Sequence, residues 1–338
     1  MASLNLHRPH RFQLKHPFIN EGNQKSEKAG FYWKIKHLAL VALASLCSLA
    51  TLAGVINLFS RTSFSMLSKY TFILSVSALG VFLSGNMLNS MASRLPQSLV
   101  SLANYIYSIV CEFFSLMALN FLRFVNLEKR DPQKGNGQQP ILLIHGLYSN
   151  SGSWAYYRYR FSNEKLGPVF TVHLGKPFDS IETHAEKVRN KVLEIQKVTG
   201  RNDITLIGHS MGGIVACVAA SKLAECNLLV TDIITLGSPL KGAFLAAWGI
   251  GKAVKEMHPQ SAFLANLSKR ILNLPSTTHF FHIASKTDLL VPLSSALFND
   301  TTYTKRLTLS NVGHLSLLFS DSLIEEVINY YKIRQNKV

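Results

Sequence analysis

Residues 204–213 have the sequence ITLIGHSMGG, an apolar run that leads into a serine flanked by glycines. The apolar run is typical of a buried β-strand, and the following Ala-, Val- and Leu-rich segment 214–224 predicts a helix. A strand, a Gly-x-Ser-x-Gly turn and a helix form a nucleophile elbow, which holds the serine side chain above the sheet. Gly208 and Gly212 would let the strand and the helix approach closely. The segment therefore predicts that Ser210 is a catalytic nucleophile.

A serine nucleophile needs a general base and an acid that orients the base, and after an elbow they follow in the order acid, then histidine. Segment 280–284 predicts a strand, and Asp288 lies in the loop after it. Segment 307–309 predicts a short strand, and His314 lies in the next loop, before a C-terminal helix. We expect His314 to accept the proton of Ser210 while Asp288 fixes the tautomer of the imidazole.

Other residues are less well placed for these roles. Asp300 could supply the acid or cap a turn, but Asp288 directly follows a predicted strand. His279 and His282 precede the expected acid, which is the wrong order. His209 adjoins the nucleophile, where neighbouring side chains point apart, so we expect it to pack or to form a hydrogen bond.

The negative charge that develops on a tetrahedral intermediate requires preorganised donors, an oxyanion hole. The backbone N–H of Met211, directly after the nucleophile, is the first expected donor. The second should come from a loop after an early strand, and segment 140–144 predicts such a strand. We expect the N–H of Leu147 to be this donor, with Gly146 permitting the turn and His145 shaping the loop.

Residues from about 139 to 335 resemble an α/β-hydrolase, and specifically its lipase and esterase branch. This resemblance implies a mostly parallel sheet flanked by helices, Ser-Asp-His catalysis and no cofactor. Segment 237–242, GSPLKG, has Ser and Leu where lipases often carry Thr and His. No trio of histidines has a spacing typical of zinc ligands, so we expect no metal. The matching motifs are His145-Gly146, Gly208 to Gly213, Thr235 to Pro239, Asp288 with Val291-Pro292, and Gly313-His314.

The N-terminal third has the composition of a membrane region. Leu38 to Ser60 and Tyr70 to Ser93 contain no charged residue, and each is long enough to cross a bilayer core as a helix. A third apolar stretch, Leu95 to Leu122, carries Glu112 and two asparagines, and a charge inside a membrane is costly. This stretch is expected either to span the bilayer or to lie in its interface.

The number of spans decides on which side of the membrane the catalytic domain lies. Basic residues dominate the segment before Leu38, which places the N-terminus in the cytoplasm. Two spans would return the catalytic domain to the cytoplasm, and three would export it. Basic residues after the third stretch favour a cytoplasmic domain and two spans; they are Arg123, Lys129, Arg130 and Lys134.

The sequence thus predicts four parts. A basic segment, 1–36, precedes a membrane region of two or three hydrophobic helices, 37–127, and a polar linker, 128–139. The catalytic α/β domain is expected at 140–338. Within it, the apolar positions of 240–275 recur at helical spacing, which is typical of a lid and equally of ordinary helices on the sheet.

The expected function is that of a membrane-anchored serine hydrolase of carboxylic esters, with lipid esters as substrates because a soluble ester needs no tether. An acyltransferase, an amidase or peptidase, and a non-catalytic binding protein on this fold are the alternatives. The chain has 35 Lys and Arg against 19 Asp and Glu, a net charge of +16. These positive charges are scattered and accompany no nucleic-acid-binding motif, so a membrane surface is the expected partner.

Overall fold

The computed structural model of the chain describes residues 97–243, 250–298 and 304–336. The first two predicted spans, Leu38 to Ser60 and Tyr70 to Ser93, lie outside these ranges, as does Asp300. The third apolar stretch and the expected catalytic domain lie largely within them.

A parallel β-sheet forms the centre of the described domain. Its strands stand in the order β2-β1-β3-β4-β5-β6, and each pair of neighbours is parallel. The expected α/β architecture, a parallel sheet flanked by helices, is confirmed for these residues. The strands are β1 (Ile141–Ile144), β2 (Val169–Val172), β3 (Asp203–His209), β4 (Leu229–Leu236), β5 (His279–Ser285) and β6 (Thr304–Leu309).

Helices cover both faces of this sheet. Short 3-10 turns at Glu128–Arg130, Ser151–Trp154 and Ser316–Leu318 connect some of them. The α-helices are α1 (Gln97–Leu122), α2 (Ala155–Asn163), α3 (Ile181–Thr199), α4 (Met211–Ala224), α5 (Lys252–Glu256), α6 (Ala262–Leu272), α7 (Leu293–Ala296) and α8 (Asp321–Gln335).

Alternating strand residues build two core layers, because side chains along a strand point to opposite faces. In β1, Leu142 and Ile144 pack in the layer with α3, α4 and α6, whereas Ile141 and Leu143 pack in the layer with α2 and α8. All four side chains are fully buried. This explains why the strands are continuous apolar runs, as expected for a parallel sheet with both faces covered.

Helix α3 shows how local sequence sets the element boundaries. The Ser180 hydroxyl accepts a hydrogen bond from the N–H of Thr183 at 3.2 Å and caps the first turn. Gly200 ends the helix in the left-handed region at φ 71°, a conformation that glycine adopts without strain. Between these caps, buried residues recur at helical spacing and face the sheet; they are Ile181, Ala185, Val188, Val192 and Ile195.

The order of the strands fixes where a site can form. From β1 the chain passes to β2 on one side and then to β3 on the other, so the direction of winding reverses at β1 and β3. Ligands of open parallel sheets bind beyond the carboxyl ends of the strands at such a reversal. The loop that begins at His145 and the turn at Ser210 both lie at this position.

Helix α1 packs on the α/β domain by one face. Ser108, Cys111 and Ser115 are buried on this face, and Leu119 packs against the core layer that contains α2 and α8. The segment Asn104–Leu122 is nevertheless long and apolar enough to cross a bilayer. Large apolar side chains are exposed on the rest of the helix; they are Tyr105, Ile106, Ile109, Val110, Phe113, Leu116 and Met117.

Residues 128–139, expected as a linker, also pack against the sheet. The Asp131 carboxylate is buried and lies 3.0 Å from Nη1 of Arg158 and 3.0 Å from Nζ of Lys191. It also accepts the backbone N–H of Thr171, in β2, at 3.2 Å. This segment therefore forms part of the folded domain. Only residues 123–127 separate it from helix α1.

The described part of segment 240–275 contains α5 and α6. Leu264, Leu267 and Ile271 of α6 are buried in the core layer with α3 and α4. Helix α6 is thus a layer of the core rather than a free cover over the sheet. Residues 244–249, the other part of the possible lid, lie outside the described residues.

Candidate active site

Ser210 occupies a strained turn between β3 and α4. Its backbone angles are φ 56° and ψ −127°, a region that non-glycine residues seldom adopt. The backbone N–H of Ser210 donates to the carbonyl oxygen of Leu236 at 2.9 Å, which fixes the turn to the end of β4. Such strain is typical of a nucleophile elbow, where the surrounding structure imposes it.

Two glycines make this turn possible by allowing backbone to lie against backbone. A Cβ at Gly208 would overlap the backbone carbonyl of Gly212 and the amide nitrogen of Gly213. A Cβ at Gly212 would overlap the carbonyl oxygen of Ile144 in β1. Because main-chain atoms cannot rotate away, both positions require glycine. The close approach of β3 and α4 expected from the sequence is present at Gly208, whereas Gly212 lies against the end of β1.

Asp288 and His314 form a buried pair. Nδ1 of His314 lies 2.7 Å from Oδ2 of Asp288, and the two side chains are only 4% and 1% exposed. The other carboxylate oxygen of Asp288 accepts the backbone N–H groups of Leu290 at 2.8 Å and Val291 at 2.9 Å. These bonds hold the carboxylate in place. Because Nδ1 donates to Asp288, Nε2 is the ring nitrogen that remains for proton transfer.

Gly237 joins this pair to the serine turn. A Cβ at Gly237 would lie 3.2 Å from Oδ2 of Asp288 and 3.3 Å from Nδ1 of His314. The preceding residue, Leu236, accepts the N–H of Ser210. The Ser210 turn and the Asp288–His314 pair, which are distant in sequence, therefore both lie at the carboxyl end of β4.

His209 links the elbow to the loop that carries His314. Its Nε2 donates to the carbonyl oxygen of His314 at 2.9 Å, and the two ring centroids are 4.9 Å apart. Burial, followed by the positive potential of His314, lowers the pKa of His209 to about 3. His209 is thus neutral at physiological pH and orients its neighbour, in keeping with the hydrogen-bonding role expected from the sequence.

The loop after β1 lies beside Ser210. A Cβ at Gly146 would lie 3.0 Å from Cβ of Ser210, so this loop passes directly beside the serine, and Leu147 is the next residue along it. Met211 is the first residue of α4, and a first-turn N–H has no acceptor within its own helix. The N–H groups of Leu147 and Met211 therefore belong to the two segments that border the serine.

His145 braces this loop. One ring nitrogen, Nδ1, lies 2.9 Å from the carbonyl oxygen of Gly146, and Nε2 accepts the N–H of Leu174 at 3.2 Å. The bond to Leu174 requires an unprotonated Nε2, and burial lowers the pKa of His145 to about 4. The neutral ring therefore holds the loop in shape, as the sequence led us to expect.

One contact of the candidate site was not expected from the sequence. The carboxylate of Glu112, in α1, accepts the backbone N–H of Leu315 at 2.9 Å and that of Ser316 at 2.8 Å. These residues directly follow His314. The available signal was the single charge in the apolar stretch Leu95 to Leu122, because a charge in such a setting requires a partner.

Within the described ranges, no group of three or more His, Cys, Asp or Glu side chains is placed to hold a metal ion. The residues brought together at the candidate site offer a hydroxyl, an imidazole, a carboxylate and backbone N–H donors.

The sheet, the elbow and the Asp–His pair define an α/β-hydrolase fold. Residues 176–316 match the model of the family described as PGAP1-like alpha/beta domain. Among solved structures, the mature lipase BlEst2 of Bacillus licheniformis superposes with a TM-score of 0.51 at 19% identity, over 60% of this chain and 95% of that chain. At this identity the likeness concerns the fold alone.

Curated relatives match over shorter segments. Ethanol acetyltransferase 1 of Cyberlindnera fabianii is 24% identical over 135 residues, which are 39% of this chain and 39% of that protein. The triacylglycerol lipase of Pseudomonas fragi is 28% identical over 115 residues, 33% of this chain and 38% of that protein. The chain thus spans less than half the length of each of these relatives.

Proposed function

We propose that this protein is a serine hydrolase of carboxylic esters, with Ser210 as nucleophile, His314 as general base and Asp288 as the group that orients His314. The observation that carries this proposal is the buried Asp288–His314 pair at the sheet edge where the strained Ser210 turn lies. A purely structural turn needs neither a strained serine backbone nor an oriented imidazole at the same edge of the sheet, whereas nucleophilic catalysis uses both.

In the proposed reaction, Oγ of Ser210 attacks the ester carbonyl carbon and its proton passes to Nε2 of His314. The carbonyl oxygen becomes an oxyanion, which accepts hydrogen bonds from the N–H groups of Leu147 and Met211. The carbon–oxygen bond to the alcohol then breaks, and the alcohol takes the proton from Nε2. Water, deprotonated by Nε2 of His314, then attacks the acyl carbon; the bond from that carbon to Oγ of Ser210 breaks, Oγ takes the proton back from Nε2, and the acid leaves.

Lipid esters are the proposed substrates. A triacylglycerol lipase is among the relatives, and α1 exposes a row of large apolar side chains next to the catalytic domain. An exposed apolar surface of this extent is typical of a lipid or protein contact. Since one face of α1 packs on the domain, we propose that this helix lies in the membrane interface and does not span.

The proposed topology follows from this position of α1. The stretches Leu38 to Ser60 and Tyr70 to Ser93 would then be the two spans, with the N-terminus and the catalytic domain both in the cytoplasm. The hydrolase would reach its substrates from the cytoplasmic surface of the bilayer.

An acyltransferase is the second candidate function. The ethanol acetyltransferases of two Cyberlindnera species are among the relatives. The same three residues would form the acyl-enzyme, and an alcohol in place of water would receive the acyl group. The two functions differ only in the second half of the reaction.

The test uses detergent-purified full-length protein and a chain-length series of acyl esters, with and without added ethanol. We expect hydrolysis that rises with chain length, is lost in Ser210→Ala and is retained in the matched control Ser221→Ala, which changes a serine of α4. A new ethyl ester as the main product would favour the transferase. Hydrolysis that survives in Ser210→Ala, or wild-type protein that a fluorophosphonate does not label at Ser210, would contradict both.

A further inference from the structure

We propose that Glu112 is a positioning residue of the active site: its carboxylate fixes the loop that carries His314. This inference rests on the proposed function of Ser210 and His314. It assigns a role in catalysis to a helix that the sequence places in the membrane region.

The contacts of Glu112 surround His314 in the chain. Oε2 accepts the N–H of Leu315 at 2.9 Å, and Oε1 accepts both the N–H of Ser316 at 2.8 Å and its hydroxyl at 3.0 Å. The Ser316 hydroxyl in turn accepts the N–H of Gly313 at 2.8 Å. Residues on both sides of His314 are therefore bound, directly or through one hydroxyl, to a single carboxylate.

This loop is held largely by side chains of other elements, and one of them is Thr287, whose hydroxyl donates to the carbonyl oxygen of Val312 at 3.0 Å. His314 lies between β6 and the 3-10 turn Ser316–Leu318, so no regular helix or strand fixes its backbone. Its side chain is bound to Asp288 and its carbonyl oxygen to His209. Glu112 supplies the acceptors for N–H groups that no strand partner satisfies, and an unsatisfied buried donor is costly.

The packing at Gly313 supports the same conclusion. A Cβ at Gly313 would overlap the side chain of Glu112, from Cγ to the carboxylate. The residue before His314 is therefore in direct contact with α1. This contact gives a physical reason for the Gly-His pair, because only glycine leaves room for the carboxylate arm.

Helix α1 also contacts the loop that is expected to carry the second oxyanion donor. Beyond its last turn, Nη2 of Arg123 donates to the carbonyl oxygen of Tyr148 at 3.0 Å. The amide of Asn150 donates to the carbonyl oxygen of Arg123 at 2.8 Å. Helix α1 and the residue that directly follows it thus contact the loops of both His314 and Leu147, so a change in the position of the helix would affect both loops.

Two substitutions of Glu112 test this role in the full-length, detergent-purified protein. Glu112→Ala removes both acceptors, whereas Glu112→Gln keeps one oxygen and the length of the side chain. Asn120→Ala, an exposed polar position on the same helix, is the control. The measurements are kcat and KM for a short acyl ester, the rate of Ser210 labelling by a fluorophosphonate and the dependence of both on pH.

We expect kcat to fall about 100-fold in Glu112→Ala and about 10-fold in Glu112→Gln, with KM nearly unchanged, because general-base catalysis contributes on this order. The wild-type rate should level off at alkaline pH, as is typical of general-base catalysis by a positioned side chain. In the variants it should keep rising, because hydroxide must replace the displaced base. Loss of folded structure alone would lower the amount of active enzyme without changing this profile.

The inference would be overturned if kcat of both variants stayed within threefold of the wild-type value. It would also be overturned if their rates fell but kept the wild-type pH profile. Either result would leave the proposed function intact. If Glu112→Ala fails to fold, Glu112→Gln decides by the same criteria. Activity that survives in Ser210→Ala would overturn the proposed function, and the inference with it. These failures are distinguishable because the last does not involve Glu112.

Discussion

The Ser210 turn and the His314 loop meet at one site but are built in different ways. The turn depends on close backbone packing: Gly208 lies against the start of α4, Gly212 lies against the end of β1, and the backbone of Ser210 is strained. The His314 loop depends on side-chain hydrogen bonds instead. It is held from outside, by Glu112 about 200 residues earlier and by His209 about 100 residues earlier.

Because of this difference, we expect the proposed nucleophile and the proposed base to be sensitive to different kinds of substitution. The turn depends on the absence of atoms, so an added methyl group should break it. The loop depends on hydrogen bonds from other elements, so removing a distant acceptor should loosen it. Each prediction below tests one side of this contrast.

The largest effect is expected at the turn. Gly212→Ala would drive a Cβ into the carbonyl oxygen of Ile144, and neither main chain can move without disturbing the centre of the sheet. We expect loss of Ser210 labelling and destabilisation by several kcal/mol, measured by chemical denaturation. The control is Gly200→Ala, a left-handed position with nothing within 4 Å of the added Cβ, which should cost about 1–2 kcal/mol. Wild-type labelling in Gly212→Ala would refute the account of the turn.

The next effect concerns Asp288, the proposed acid that orients His314. Asp288→Asn preserves shape but removes the charge that stabilises the imidazolium, so we expect kcat to fall about 10³- to 10⁴-fold. Asp300→Asn, at the alternative acid, should stay within threefold. Steady-state hydrolysis of one ester compares the two variants directly. A large loss in Asp300→Asn with a small one in Asp288→Asn would reverse the assignment.

The smallest effect is a pH dependence of stability at the contact between turn and loop. The pKa of His209 falls from an ordinary 6.5 to about 3 on folding, mainly through burial. Between these values the unfolded chain binds a proton that the folded protein does not, so stability decreases as pH falls. At pH 5 the free energy of unfolding should be lower than at neutral pH by on the order of 1–2 kcal/mol through this residue.

His209→Gln isolates this contribution, because the amide can still donate to the carbonyl oxygen of His314 and does not titrate. We expect the free energy of unfolding to fall less between pH 7 and pH 5 in this variant than in the wild type. The exposed His173, changed to Gln, provides the control and should leave the dependence unchanged. Equal pH dependence in all three proteins would mean that His209 is not neutral in the fold.

The sequence predicted those features that are determined by residues close together in the chain. The apolar runs and the glycine-flanked serine gave the parallel sheet, and the structure brings Asp288 and His314 together as their order in the chain suggested. It did not predict the position of α1, because an apolar helix with one glutamate has the same composition in a bilayer and against a protein. Nor did it predict that the polar segment 128–139 packs on β2, since the buried ion pair of Asp131 involves partners 27 and 60 residues away.

The placement of α1 has a consequence for anyone who wishes to produce a soluble form of this hydrolase-fold domain. A fragment that starts at residue 128 or 140, where the composition changes, would lack Glu112 and leave the backbone donors of Leu315 and Ser316 without their acceptor. A fragment that starts near residue 97 would keep them. Its apolar outer face would then need polar replacements, at Ile106 and Phe113 for example, which point away from the domain.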